Sequence, residues 1–367
     1  MKVLFVFGTR PEGIKMAPII KEIEKRKDLE SYICVTGQHR EMLDQVLEIF
    51  DIKPDYDLNI FKKGQTLTEV TTKTLLGLEN ILDELKPDIL LVQGDTTTVF
   101  AAALAAFYKK IKIGHVEAGL RSGNLYSPYP EEANRKLTGV LSNYHFAPTE
   151  SNRQNLLREG YDDKNIFITG NTVIDALKYS VKEDFLFDDE ILNNLDYNKD
   201  VVLLTAHRRE NWGEPMENIF SAIRRVVLER ENIEIVFPIH LNPIVRSTAK
   251  KYFSDLDRVH LIEPLSYMPF SNLMARVKFV VTDSGGVQEE APALGKPVLV
   301  LRNETERMEG VEAKTAKLVG TASQDVYDSI ISLLDDKKLY EEMARAVNPY
   351  GDGHAAKKIV DILEKMN

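Results

Sequence analysis

The run Asp88-Ile89-Leu90-Leu91-Val92-Gln93-Gly94-Asp95-Thr96-Thr97-Thr98 decides the fold. Its aliphatic block reads as a strand, and the threonines behind Asp95 open an Ala-rich helix from Thr97 to Tyr108. Another strand, Lys112 to Val116, follows within four residues. Strand, helix, strand in that order is the signature of a parallel α/β sheet. Outward from this unit the first half adds strands at Lys2 to Phe7, Ser31 to Thr36, Tyr144 to Ala147 and Asn165 to Ile168, with helices such as Ala17 to Arg26. An acidic, Asn-rich stretch, Asp188 to Asp200, then reads as a linker or an exposed first helix of a second domain. Beyond it the pattern restarts, with strands at Val201 to Thr205, Glu234 to Pro238, Val259 to Ile262, Phe279 to Thr282, Pro297 to Leu301 and Lys317 to Val319. The expectation is an α/β protein of two doubly wound, Rossmann-like domains, residues 1–175 and 176–350. A last amphipathic helix within 354–367 packs back on the first. Ligands of such sheets sit beyond the carboxyl ends of the strands, and two such edges facing each other would form a deep interdomain cleft.

Composition agrees. A chain of 367 residues with 43% hydrophobic and 28% charged residues is long enough for two cored domains. The apolar run Met1 to Phe7 is cut short by Gly8-Thr9-Arg10 without a cleavage site, and nowhere do 18 apolar residues run together. A single cysteine, Cys34, forms no internal disulfide and fits a reducing compartment, so a cytoplasmic enzyme is expected. The net charge of −10 argues against non-specific nucleic-acid binding. A small anion held by local cations remains compatible with it.

Four places carry chemistry. Gly8, Thr9, Arg10, Pro11, Glu12, Gly13 and Lys15 lead from the first strand into a helix, and glycines, helix amides and two cations suit a phosphate or carboxylate. A tight turn with two solvated cations would look the same. Acids follow strand ends at Asp95 and Glu117, and a third, Glu131, lies in the Tyr129-Pro130-Glu131-Glu132 loop. By topology all three meet above one sheet edge, where crowded carboxylates can supply both an acid and a base. Each alone would also serve as a helix cap. His207, beside Arg208 and Arg209, directly follows the strand ending at Thr205 and suits an anion or an acid role. Finally, Asp283-Ser284-Gly285-Gly286 turns a strand into a helix that carries Glu290, a combination fit for a phosphate and a ribose. No HExxH, CxxC, EF-hand or GxSxG spacing occurs. These parts describe a nucleotide-sugar site: acids stabilise positive charge on the sugar, while cations and helix starts stabilise the departing diphosphate. Transfer, hydrolysis and elimination share that step.

Six runs in order narrow the choice. Gly8-Thr9-Arg10-Pro11-Glu12, Gln93-Gly94-Asp95-Thr96-Thr97-Thr98, His115-Val116-Glu117-Ala118-Gly119-Leu120-Arg121, Pro130-Glu131-Glu132-Ala133-Asn134-Arg135, His207-Arg208-Arg209-Glu210 and Asp283-Ser284-Gly285-Gly286-Val287-Gln288-Glu289-Glu290-Ala291-Pro292 resemble the non-hydrolysing UDP-N-acetylglucosamine 2-epimerases. The resemblance implies the GT-B architecture, no metal and no redox cofactor, a homodimer, and reversible conversion of UDP-GlcNAc to UDP-ManNAc. Its reaction is anti elimination of UDP to a 2-acetamidoglucal followed by syn re-addition. It implies Asp95, Glu117 and Glu131 around the sugar and His207 by the diphosphate. Arg10, Lys15, Ser284, Gly285 and Gly286 would hold the nucleotide and its phosphates, Glu290 the ribose, Phe270 the base region and Arg307 a further anionic group. Gln38, His39 and Gln45 match positions near which bacterial relatives bind a second UDP-GlcNAc as activator. The family's Thr-Glu-Arg-Pro-Glu run is Thr305-Glu306-Arg307-Met308-Glu309 here. The rival readings are a GT-B glycosyltransferase that uses UDP-GlcNAc and a non-catalytic nucleotide-sugar-binding module.

Overall fold

Near-continuous apolar runs such as Val3-Leu4-Phe5-Val6-Phe7 and Val201-Val202-Leu203-Leu204 are stable only in strands covered on both faces, and this requirement organises each half of the chain. The computed structural model, which describes residues 1–38 and 40–366, contains two parallel sheets, one in each of two units. The first unit comprises Met1–Tyr179 and the segment from Tyr350 onward; the second is Ser180–Pro349.

In the first unit the strands are β1 (Lys2–Phe7), β2 (Glu30–Val35), β3 (Tyr56–Asp57), β4 (Ile89–Gln93), β5 (Lys112–Val116), β6 (Tyr144–Ala147) and β7 (Ile166–Ile168). They lie in the order β3-β2-β1-β4-β5-β6-β7. The intervening helices are α1 (Arg10–Ile23), α2 (Arg40–Ile49), α3 (Leu67–Leu85), α4 (Thr97–Tyr108), α5 (Glu131–Leu141), α6 (Glu150–Arg158) and α7 (Thr172–Ser180). Strand order reverses between β1 and β4, which is where such a sheet receives a ligand. Phe5 pairs with Leu91 and Gln93 with Val116, so the residues after β1, β4 and β5 emerge at one edge. Leu4, Val6, Leu90 and Val92 pack against Val99, Ala102, Ala103 and Ala106, whose small side chains let α4 lie close to the sheet. The terminal helix Ala355–Met366 belongs to this unit. The buried Asp175 carboxylate caps it by accepting from the Ala355 and Ala356 amides at 3.1 and 3.0 Å, and Arg26 bridges to Asp361 and Glu364.

The second unit has β8 (Asp200–Thr205), β9 (Ile233–Pro238), β10 (Val259–Ile262), β11 (Phe279–Thr282), β12 (Val298–Val300) and β13 (Ala316–Leu318), in the order β10-β9-β8-β11-β12-β13. Its helices are α8 (Glu190–Asn194), α9 (Glu214–Glu229), α10 (Pro243–Phe253), α11 (Tyr267–Arg276), α12 (Gly285–Ala293), α13 (Met308–Glu312), α14 (Ser323–Asp335) and α15 (Lys337–Ala344). Its switch point lies between β8 and β11. Phe220 anchors the core, its ring 5.6 Å from Phe237 and 5.0 Å from Phe253.

One expected boundary moves, one strand was not expected, and one open reading is decided. Helix α1 starts at Arg10, not Ala17, because Pro11 suits a first turn and Glu12 turns back to accept the Thr9 amide at 2.7 Å. Strand β3 has only two residues, too few for a periodic signal. Of the two readings of Asp188 to Asp200 the helix is the one found: it holds α8, though with Leu192 fully buried rather than exposed, and its last residue begins β8.

His115 and His145 are paired across β5 and β6. Burial pushes their imidazoles down, to about 4 and about 3. The unfolded chain takes up protons near pH 6.5 while the folded unit does not. Their stabilisation is therefore complete above pH 6.5 and is lost as pH falls toward 4, at about 1.4 kcal/mol per pH unit for each histidine. We expect the denaturant midpoint of this unit to drop between pH 6.5 and 5. His145→Phe, which keeps a ring against Tyr161, should reduce that slope by about half. An unchanged slope in the variant would refute the assignment.

Candidate active site

In the first unit the edge beyond β1, β4 and β5 gathers two ion pairs. Glu117 directly follows β5, and its Oε2 lies 2.5 Å from Lys15 Nζ on the second turn of α1, while the Gln93 side-chain amide donates to the same oxygen. Glu117 adopts φ +63°, a left-handed conformation that costs an L-residue about 1–2 kcal/mol. Such strain persists only where the surroundings hold it, as functional sites do. Asp95, one strand over, is held by Arg135, whose Nη2 and Nε lie 2.7 and 2.9 Å from its Oδ2, and its carbonyl accepts from Asn134 Nδ2 at 2.9 Å. Two of the three acids thus have cations of their own. Glu131 opens α5 behind a loop with cis bonds before Pro128 and Pro130. Its Oε2 is buried, and among the described residues no donor reaches it. A buried acceptor without a donor is unfavourable, so this oxygen is available to a ligand hydroxyl or N–H.

Other residues fix these loops. Glu12 is buried and accepts from the Gly8 and Thr9 amides at 2.9 and 2.7 Å and from the Thr96 hydroxyl at 2.6 Å, tying the loop after β1 to the loop after β4. Burial pushes its carboxyl up while these donors pull it back only in part. The His115 Nε2–H donates to the Gly94 carbonyl at 2.7 Å, immediately before Asp95. Glu132, fully buried, accepts from the Ser122 and Gly123 amides. Arg10 is the first residue of α1. Gln38 follows β2 and accepts from the Thr98 hydroxyl at 2.8 Å, whereas Gln45 is exposed on α2. His39 lies outside the described residues.

The second unit builds its own edge at β8 and β11. Helix α12 begins at Gly285 after Ser284, with no acidic residue in its first turn to offset the positive end of the dipole. A Cβ on Gly285 would stand 2.6 Å from Arg307 Nη1, so the glycine is what admits the guanidinium, and one on Gly286 would reach Glu290 Oε1 at 3.5 Å. Arg307 lies 2.7 Å from Glu289 and 2.5 Å from Glu306, two carboxylates that offset its charge. Burial pushes Glu306 up, but the Arg307 and Arg302 charges outweigh it and bring the carboxyl down to about 2. Arg302 also bonds Glu210, so the loop after β8 and the loop after β12 are cross-linked by charge. His207 is stacked on His240, with ring centroids 5.6 Å apart. Phe270 is half-buried on α11.

Gln93, Arg135 and Asn134 as partners of the acids, and Glu12 as the tie between the loops after β1 and β4, were not foreseen, although all four lie inside the quoted runs. A buried acid three residues behind Thr9, and an Arg one turn beyond Glu131, were the available signals.

Two tandem doubly wound domains of this kind place the chain in the GT-B class of α/β proteins. A model of the UDP-N-acetylglucosamine 2-epimerases matches residues 21–364. The UDP-N-acetylglucosamine 2-epimerase of Bacillus subtilis is 56% identical over 363 residues, covering 99% of this chain and 95% of that protein. That of Escherichia coli K12 is 53% identical over 371 residues, covering 99% and 98%. The crystal structure of the Neisseria meningitidis enzyme bound to UDP-GlcNAc matches with a TM-score of 0.89 and 52% identity over the whole of both chains. The chain belongs to the UDP-N-acetylglucosamine 2-epimerase family.

Proposed function

We propose that the protein interconverts UDP-GlcNAc and UDP-ManNAc. The observation that carries the reading is Glu117, a carboxylate held by Lys15 and Gln93 on a residue in the left-handed region, at the same sheet edge as Asp95, which follows the neighbouring strand. A carboxylate of the first unit takes the C2 proton. The C2–H electron pair becomes the C1–C2 double bond, the anomeric C–O bond breaks, and UDP leaves anti, giving 2-acetamidoglucal. UDP then returns to C1 while a proton reaches the other face of C2, a syn addition. Asp95, Glu117 and Glu131 share the proton transfers and stabilise positive charge on the ring. His207, Arg10, Lys15, Ser284, Gly285 and Gly286 serve the diphosphate, Glu290 the ribose, Phe270 the base region, and Arg307 a further anionic contact. Gln38 and Gln45 are the described candidates for an activator position. Family membership and the UDP-GlcNAc held by the Neisseria relative support this reading.

The test is incubation with UDP-GlcNAc alone in deuterated water. Deuterium should enter C2 of both sugar isomers. Binding without exchange and without UDP-ManNAc excludes epimerisation: sugar transfer on adding an acceptor would favour the transferase reading, and binding alone the regulatory one.

We propose further that two copies pair through the first unit. Phe100, Leu104, Phe107 and Tyr108 form a stripe along α4, flanked by Leu76 on α3 and by Leu137 and Val140 on α5. Leu76, Tyr108 and Val140 are 69%, 68% and 73% exposed. Aromatic side chains bury roughly 150–250 Å² each, so this face supplies most of the apolar centre of an interface of about 800 Å² per partner. Charges of both signs border it, Lys109 with Glu79 and Asp83 and Lys136 with Glu159, which suits a second copy better than a polyanion. Phe107→Asp with Val140→Asp should halve the mass in sedimentation; an unchanged dimer would refute this surface.

A further inference from the structure

We propose that Asp283 is the positioning residue of His207, fixing the imidazole as the Nδ1–H tautomer and leaving Nε2 as the nitrogen that exchanges a proton with the substrate. The proposal rests on the epimerase reading for its kinetic consequence only. Asp283 directly follows β11 and is fully buried. One of its oxygens, Oδ2, accepts from the His207 amide at 2.8 Å, the Arg208 amide at 2.9 Å and Asn211 Nδ2 at 3.1 Å. That oxygen is saturated, and it ties the loop after β8 to the end of β11. The other, Oδ1, is buried, and no well-aligned donor reaches it among the described residues; His207 Nδ1 lies 3.1 Å away. Burial pushes the carboxyl up, but the His207 contact and the two backbone donors hold it below its ordinary value, so it is an anion that needs a donor.

A lone pair on Nδ1 facing Oδ1 would be repulsive, whereas an N–H there completes the carboxylate. The tautomer of a working histidine is set by what its other nitrogen touches. The stacked His240 ring, whose Nδ1 accepts from the Asn242 amide, restricts the imidazole from its face. Arg208 and Arg209 follow His207 in the chain, and the Trp212 indole N–H donates to its carbonyl at 3.3 Å. The ring is therefore held at an edge, at a face and through its backbone.

A merely structural Asp283 would act through Oδ2 alone, and Asp283→Asn separates the two roles. The carboxamide oxygen can keep the backbone amides, while its NH₂ turns toward Nδ1 and forces the Nε2–H tautomer. The experiment is nitrogen-15 NMR of histidine-labelled protein, with and without UDP, together with kinetics. The wild type should show His207 as Nδ1–H and the variant as Nε2–H. The variant's kcat should fall about a hundredfold or more, with KM within about threefold and Tm nearly unchanged. In a His207→Ala background the same substitution should cost nothing further. An Nε2–H tautomer in the wild type, or an equal loss in the His207→Ala background, overturns the proposal. The wild-type spectrum decides even if the variant does not fold. Failure of the epimerase reading would appear separately, as a wild type without turnover.

Discussion

Glu117→Gln lowers the rate of C2 deuterium incorporation from UDP-GlcNAc by at least about a hundredfold, the lower range for acid–base roles, and the loss should appear in kcat. The carboxamide keeps the size and shape of the side chain but cannot hold a proton in transit. It also removes the Glu117 charge from Lys15, whose Nζ lies 2.5 Å from the carboxylate. The pair is largely shielded from solvent, with Lys15 and Glu117 side chains 18% and 11% exposed, so losing one member costs more than at an open surface. Asp95→Asn and Glu131→Gln carry the same expectation for different local reasons. Asp95 is positioned by the Arg135 guanidinium, and Glu131 has a buried oxygen with no donor among the described residues. UDP affinity should stay within about threefold in Asp95→Asn and Glu131→Gln, neither of which touches a residue assigned to the diphosphate, whereas in Glu117→Gln it should rise, because Lys15 loses a competing anion. Near-normal exchange in all three variants would move the chemistry away from this edge.

Strands were legible because burial on both faces demands unbroken apolar runs. Lys2–Phe7, Lys112–Val116, Tyr144–Ala147, Val259–Ile262 and Phe279–Thr282 fall where the runs begin and end. The start of α1 was not legible by hydrophobic period: Gly8, Pro11 and Gly13 read as a loop, while what marks the helix is its cap, Thr9 with Glu12. In the candidate site, residue types at strand ends were readable, but their partners were not. Lys15 and Glu117 are 102 positions apart in the chain, and Asp95 and Arg135 are 40 apart. Only the register of β1, β4 and β5 brings such residues together. The left-handed backbone of Glu117 is likewise imposed from outside, since nothing in a glutamate favours it.

Gly119→Ala is expected to destabilise the first unit far more than Gly160→Ala, although both glycines have similar positive φ, +91° and +87°. At Gly160 an added Cβ meets nothing within 4 Å, so the cost is the left-handed conformation alone, about 1–2 kcal/mol. At Gly119 the same atom would stand 2.3 Å from the Asn152 carbonyl oxygen and 2.8 Å from its carbon. That carbonyl belongs to α6 and has little room to retreat. The Asn152 amide donates to the Thr149 hydroxyl, its Oδ1 accepts from Thr149, and Asn155 Nδ2 reaches back to the Gly119 carbonyl at 2.9 Å. Overpacking of this kind adds about 1–3 kcal/mol, so Gly119→Ala should lower Tm by on the order of 10 °C and Gly160→Ala by about half of that or less. Calorimetry checks the pair; equal shifts would mean that α6 moves aside. Gly119 also lies two residues after Glu117 and opens the segment leading to Glu131. Relief of the clash by moving the chain rather than α6 would displace both acids, so activity of Gly119→Ala measured well below its Tm should fall while that of Gly160→Ala does not.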